Sequence, residues 1–230
     1  MASSINLSVE ENDGGKIKYA NRWNFSEAIL NNNGLVYLSS QHTDFIEIEP
    51  ENEKPRPQPE PEPRGYWMTN YELHVVDYAD MFHPVVRDAV SIPGTLIGTS
   101  HDGALLYTQG AHWSDDHKWD GNWIDASSYD GLEVHLVDSI EQPQNWPRSQ
   151  IVTDEGILYM TFSETEKSEP TEVGDSNYVT TNYMQSFALN ETAQFTLLNE
   201  IELETGIQQL SEIGGQLFGQ DNHRTLHLFD

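Results

Sequence analysis

One hexapeptide of the form x-[LV]-H-[VL]-[VF]-D recurs along this chain, and a recurrence of that kind constrains the fold more than any single residue. Its copies are Glu72-Leu73-His74-Val75-Val76-Asp77, Glu133-Val134-His135-Leu136-Val137-Asp138 and Thr225-Leu226-His227-Leu228-Phe229-Asp230. A degenerate copy is Gln185-Ser186-Phe187-Ala188-Leu189-Asn190. Each reads as a strand stopped by a turn-favouring Asp or Asn. Upstream of each copy lies a second element: Gly34-Leu35-Val36-Tyr37, Gly103-Ala104-Leu105-Leu106-Tyr107, Gly156-Ile157-Leu158-Tyr159 and Gly215-Gln216-Leu217-Phe218. Glycine supplies the positive φ of a tight turn, and the apolar run after it is the next strand. The order of turn glycine, strand, variable loop, strand and Asp therefore repeats, the signature of a repeat architecture.

Further strand candidates lie upstream of these pairs. They are 16–25 and 27–30, then 85–92 and 95–99, then 195–203 and 207–213. The third unit has only 138–156 for this purpose, so its inner strands are expected to be short or one is missing. Only 204–212 has a mild helical period. About four units of four strands predict an all-β fold, a β-propeller of four-stranded blades with the hexapeptides as outer strands. The whole of 1–230 is then one propeller domain or part of a larger propeller, with Leu7-Ser8-Val9 as the outer strand of a preceding blade and Asp230 ending a blade. The hexapeptides do not alternate apolar with polar, as expected for strands covered on both faces. A β-sandwich is the competing fold and would alternate.

The run from Leu73-His74-Val75-Val76-Asp77 through a Pro-containing turn and a strand to Leu105-Leu106-Tyr107 resembles the LVIVD-type repeats, and also secreted bacterial and archaeal proteins with a C-terminal β-propeller. The stretch 132–159 matches second best. His83-Pro84 and Gln142-Pro143 stand where those repeats often carry Asp-Pro. The resemblance implies a propeller and an extracellular or cell-surface setting. It supplies no catalytic residues.

Charge narrows the partners. Asp and Glu number 38 against 11 Lys and Arg, a formal net charge of -27. Nucleic acid needs clustered cations, and an anionic membrane surface repels such a chain. Cations or a basic protein remain as partners, and adaptation to salty surroundings would explain the acidity with no partner. Aromatic residues at 10% exclude disorder throughout. The absence of cysteine excludes disulfides and thiolate sites. No apolar run approaches the roughly 18 residues of a membrane span. Residues 1–9 lack the basic and apolar pattern of a signal peptide.

The variable loops are expected on one face, because the connection has the same direction in every blade. The first, about 42–70, contains a Pro/Glu-rich stretch at about 49–64 that favours extended, solvated chain. The second, 111–130, holds His112, Trp113, Asp115, Asp116, His117, Trp119, Asp120, Trp123, Asp125, Tyr129 and Asp130. Asp115, Asp116, Asp120, Asp125 and Asp130 are candidate calcium ligands, since calcium prefers carboxylate oxygens. The EF-hand template fails, with Lys118 and Ser127 at its third and twelfth positions counted from Asp116. His112 and His117 lack the zinc-binding His-Glu-x-x-His spacing. Exposed Trp beside carboxylates also suits a sugar, whereas a local mini-core needs no ligand. The third loop, 164–182, reads as solvated and the fourth, 221–224, as a tight turn.

No G-x-S-x-G elbow, Walker A motif or dinucleotide glycine loop is present. His74, His135 and His227 recur at one repeat position, which points to a structural role, as does the recurrence of Asp77, Asp138 and Asp230 for strand-end turns. The expectation is a non-catalytic binding or scaffolding propeller of a secreted or cell-surface protein, calcium-stabilised, with a protein or carbohydrate ligand. The alternative is the propeller part of a larger extracellular hydrolase.

Overall fold

A computed structural model describes residues 24–26, 29–30, 34–47, 65–100, 102–114, 119–142, 149–153, 155–167 and 178–229. These residues form strands and turns, in four antiparallel sheets arranged as a four-bladed propeller. In the first sheet, β1 (Asn24–Phe25) and β2 (Ile29–Leu30) both pair with β3 (Leu35–Glu47) as two pieces of one inner strand. β3 pairs with β4 (Gly65–Asp77), and β4 with β5 (Val85–Val86) and β6 (Val90–Ser91). The second sheet runs β7 (Thr95–Thr99), β8 (Leu105–Trp113), β9 (Trp119–Tyr129), β10 (Val134–Glu141). The third runs β11 (Ser149–Val152), β12 (Leu158–Lys167), β13 (Tyr178–Leu189), β14 (Phe195–Leu203). The fourth has β15 (Ile207–Ile213), β16 (Gln216–Asp221) and β17 (Leu226–Phe229).

The repeat elements hold, but their place in the blade is shifted by one strand. The glycine-led strands β3, β8, β12 and β16 are the second strands, and Gly34, Gly103, Gly156 and Gly215 have φ of +81°, +72°, +78° and +76°. The hexapeptide strands β4, β13 and β17 are third strands rather than outer ones. The stretches 85–92 and 195–203 close the blade before them instead of opening the next, and the variable loops join second to third strands. The segment 111–130 is mostly strand: β9 supplies the third strand of the second sheet, which pushes the hexapeptide at 133–138 out to β10. The third sheet thereby gains four strands, β11 being its short inner one. The stretch 204–212 contains most of β15 and no helix, its apolar Ile207 and Leu210 being held by sheet packing. The Pro/Glu stretch 49–64, Leu7-Ser8-Val9 and Asp230 lie outside the described residues.

Leu73, His74, Val75 and Val76 are all buried, as the lack of alternation predicts, whereas in the other two His-containing copies Leu136, Leu226 and Leu228 are exposed. Three apolar clusters occupy the gaps between successive sheets. Tyr37, Leu73, Val75, Leu96 and Leu106 join the first to the second. Ile124, Leu158, Met160 and Phe187 join the second to the third. Met184, Ile207, Leu210 and Leu217 join the third to the fourth. Inner strands lie so close that a Cβ on Gly98 in β7 would stand 2.5 Å from Val152 Cβ in β11. Short polar side chains also reach across. The Leu96 amide donates to Ser39 Oγ at 2.9 Å, and the Leu210 amide to Ser149 Oγ at 2.7 Å. Between the second and third sheets, Gln109, Gln142 and Gln150 close a ring of three amide hydrogen bonds.

Candidate binding face

In the first three sheets the second and third strands outrun their neighbours and project as two-stranded hairpins from the same end of the blade. On the first, Phe45 and Trp67 are cross-strand partners with ring centroids 5.1 Å apart. Asp44 Oδ2 accepts from His42 Nε2 at 2.7 Å and from Asn70 Nδ2 at 3.2 Å. On the second, Trp113 and Trp119 are register partners, 57% and 58% exposed. Behind them Trp123 stacks on His112, with centroids 5.0 Å apart and planes 10° apart. Gly121 beside this stack has φ +117°, a conformation that favours glycine. On the third, Phe162 stacks on Tyr183 at 5.3 Å, and Tyr178 and Val179 stand exposed near the tip. Exposed apolar residues on three adjacent hairpins form a broken aromatic rim.

The candidate calcium ligands are dispersed. Asp115 and Asp116 lie outside the described residues, as does His117. Asp120 and Asp130 flank opposite ends of β9, about 33 Å apart at 3.3 Å per residue. Asp125 sits between them with no exposed surface. Its Oδ2 accepts from His112 Nε2 at 3.0 Å and its Oδ1 from Ser139 Oγ at 2.6 Å, so it ties β8, β9 and β10 together. Asp130 Oδ1 accepts the Leu132 and Glu133 amides at 2.8 Å each, and these bonds hold its carboxyl below the usual carboxylate range. Among the described residues no three His, Asp or Glu side chains converge as a metal-binding group.

Alignment of the blades by the aromatic residue of each second strand shows what the recurring histidines do. Tyr37, Tyr107, Tyr159 and Phe218 face Val75, Ala126, Ser186 and Leu228. The residue before each partner is His74, Asp125, Gln185 and His227. His74 is buried against Ser40 Oγ at 2.8 Å, and burial pushes its pKa down against the pull of Glu72. His227 Nε2 lies 3.2 Å from Asp221 Oδ2. Two histidines therefore share one polar anchor position, and Asp125 fills it in the second sheet. His135 does not share it: it lies exposed on outer strand β10, 3.7 Å from Glu133, because β9 has taken the equivalent place. Asp138 is likewise no strand-end turn former. It lies within β10, and its Oδ2 accepts the Phe195 amide of the third sheet at 2.6 Å. Asp77 does cap a turn, accepting the Ala79 amide at 2.9 Å. The anchor position was missed because Asp125 does not look like the histidines it replaces. Only the spacing from Tyr107 through the strand pairing reveals it.

No protein-family model matches the chain, and comparison with curated proteins gives no match.

Proposed function

We propose that this chain is a non-catalytic binding or scaffolding propeller of a secreted or cell-surface protein, with the aromatic hairpins of the first three sheets as its contact face. The observation that carries this reading is the exposed Trp113–Trp119 pair on a hairpin flanked by others that expose Trp67 and Tyr178. Large apolar side chains held out on rigid hairpins supply contact area at small entropic cost. The charge of -27 selects a neutral carbohydrate or a basic protein segment as ligand. The extracellular setting rests on the likeness to LVIVD-type repeats and to secreted propeller proteins. Tryptophan fluorescence titrated with neutral oligosaccharides and with basic peptides tests the face. Binding by one class is expected, weakened at least tenfold in a Trp113→Ala, Trp119→Ala variant. Undiminished binding by that variant would move the site elsewhere.

Calcium stabilisation belongs to the same proposal. With Asp125 and Asp130 engaged as described, Asp115, Asp116 and Asp120 remain as the candidate ligands for calcium. Binding to the native state alone contributes RT ln(1 + [L]/Kd). Thermal melts at fixed high ionic strength, with calcium and then chelator, should differ, and equal midpoints would reject the site.

A further inference from the structure

The gap between the second and third hairpins has two unlike walls. Tyr107 of β8 points into it, its hydroxyl donating to the Gly156 carbonyl at 3.3 Å. Side chains alternate along a strand, so Trp113, six residues further on, projects from the same face. Its register partner Trp119 stands beside it on β9. On β12, Leu158 and Met160 pack against Ile124 of the second sheet. By the same alternation Phe162, Glu164 and Glu166 face the second sheet as well. Tyr107 and Tyr159 hold equivalent places in their blades. Counted from them, Trp113 is six residues out while Glu164 and Glu166 are five and seven, so the two carboxylates bracket the indole in height. The ring of Gln109, Gln142 and Gln150 closes the gap beneath them.

Charge indicates the occupant. Among the described residues the Lys and Arg side chains are Arg87, Lys167 and Arg224. Arg87 engages Asp77 at 3.3 Å, at the other end of the first sheet. Arg224 belongs to the turn of the fourth sheet. Lys167 alternates onto the face of β12 opposite to Glu166. Trp113 and Trp119 keep more than half their surface in water and both glutamates are exposed, so the two walls stand apart with room between them. An indole face attracts a cation through its ring quadrupole, and a carboxylate attracts it by charge-assisted hydrogen bonds. A neutral sugar would use the first wall and gain little from the second. A guanidinium uses both, because its plane stacks on an aromatic ring while its donors fork onto a carboxylate.

We propose that the gap between the second and third hairpins takes an arginine side chain from a basic protein segment, with the guanidinium lying between the Trp113–Trp119 pair and the carboxylates of Glu164 and Glu166. This rests on the hairpins being the contact face, and it names the partner of that face. A lysine ammonium, a compact and strongly hydrated charge without a plane to stack, fits the two walls less well.

The probe is a blocked peptide carrying two arginines among glycines, with a second peptide in which citrulline, the neutral isostere, replaces both. Calorimetric titration of the full chain reads the affinities at about 0.15 M NaCl, where charges more than about 8 Å apart are screened. The arginine peptide is expected to bind at least about tenfold tighter than the citrulline peptide. Glu164→Gln with Glu166→Gln should weaken it about tenfold, and so should Trp113→Ala with Trp119→Ala. All four changes together should cost less than the product of the two losses, because both walls hold one side chain. Glu155→Gln with Glu191→Gln removes the same charge from exposed turns at the other end of the third sheet and should leave the affinity within about twofold. Equal binding of the two peptides would overturn the proposal. Equal losses from the two glutamate pairs would also overturn it, assigning the attraction to bulk charge. Citrulline-peptide binding as tight as the arginine peptide's, weakened by the tryptophan variant and not by the glutamate variant, would reject the arginine and leave the hairpins as the contact face. Binding that no hairpin variant weakens would reject that face as well.

Discussion

The second and fourth sheets use the same repeat elements and reach opposite ends. The second has four strands, a projecting hairpin and a buried carboxylate that binds three strands together through His112 and Ser139. The fourth has three described strands, a short turn at 222–225 and β17 as its last described strand. At the shared anchor position the second sheet carries Asp125, fully buried, and the fourth His227, partly exposed beside Asp221. Flanking strands decide the difference. Asp125 is sealed by β8 and β10, whereas β17 has, among the described residues, a neighbour on one side only. Stability in this fold therefore follows from what covers a strand more than from the motif it carries.

The largest effect expected from this contrast is at Asp125. Asp125→Ala leaves His112 and Ser139 without the carboxylate they share and should cost about 3 kcal/mol, since each hydrogen bond to a charged group contributes about 1.5–3 kcal/mol. Ile213→Ala, on an exposed rim of the fourth sheet, should change stability by no more than about 0.5 kcal/mol. Urea melts of the two variants check the contrast, and similar midpoints would break it.

Glycines sharpen it next. Gly98→Ala forces a Cβ against Val152 between two inner strands and should cost about 2 kcal/mol. Gly214→Ala meets no atom within 4 Å, so only its φ of +62° opposes it, at about 1 kcal/mol. Denaturation midpoints should rank the two in that order.

Titration gives a smaller effect. Burial lowers the folded pKa of His74 beneath its ordinary 6.5, so the unfolded chain binds more protons just below that pH. Stability is then fully present above 6.5 and falls as the pH drops toward the folded value. The Asp221 carboxyl, held low first by the Thr225 amide, contributes stability that is lost only below its ordinary 3.8. Thermal midpoints of His74→Gln should accordingly show a shallower slope just below pH 6.5 and an unchanged acid limb.

How much of this was legible in the sequence follows from what fills each strand. The glycine turns were legible because positive φ leaves a residue-type signature. The bounds of β7, β14 and β15 were legible because their apolar residues sit between turn signals. β9 was not. Its interior, Ile124-Asp125-Ala126-Ser127-Ser128, is nearly all buried yet mostly polar, and a strand with a carboxylate and hydroxyls in its core reads as a loop. That omission displaced the hexapeptide at 133–138 within the second sheet and turned Asp125 into a candidate cation ligand, while in the first sheet the shift came from reading the two pieces of one inner strand, β1 and β2, as two strands. The aromatic residues of 111–130 did mark the rim, although their pairing as Trp113–Trp119 and His112–Trp123 needed the register.

The smallest effects concern the surface. Deleting 49–64 should move the melting temperature by about a degree or two at most, because the last register pair, Glu47 and Gly65, can open with Ile48 into a three-residue turn closed by Ile46 and Tyr66. Added NaCl should raise the midpoint modestly by screening the net charge of -27, with a range near 10 Å at 0.1 M.

The central claim is that 119–129 is the third strand of a blade, and backbone contacts by nuclear magnetic resonance test it most directly. Asp125 should show cross-strand contacts to Thr108 on one side and Ser139 on the other, with none joining β8 to β10. Direct contacts between β8 and the hexapeptide at 133–138 would make 111–130 a loop. They would contradict both the phase of the blades and the burial of Asp125.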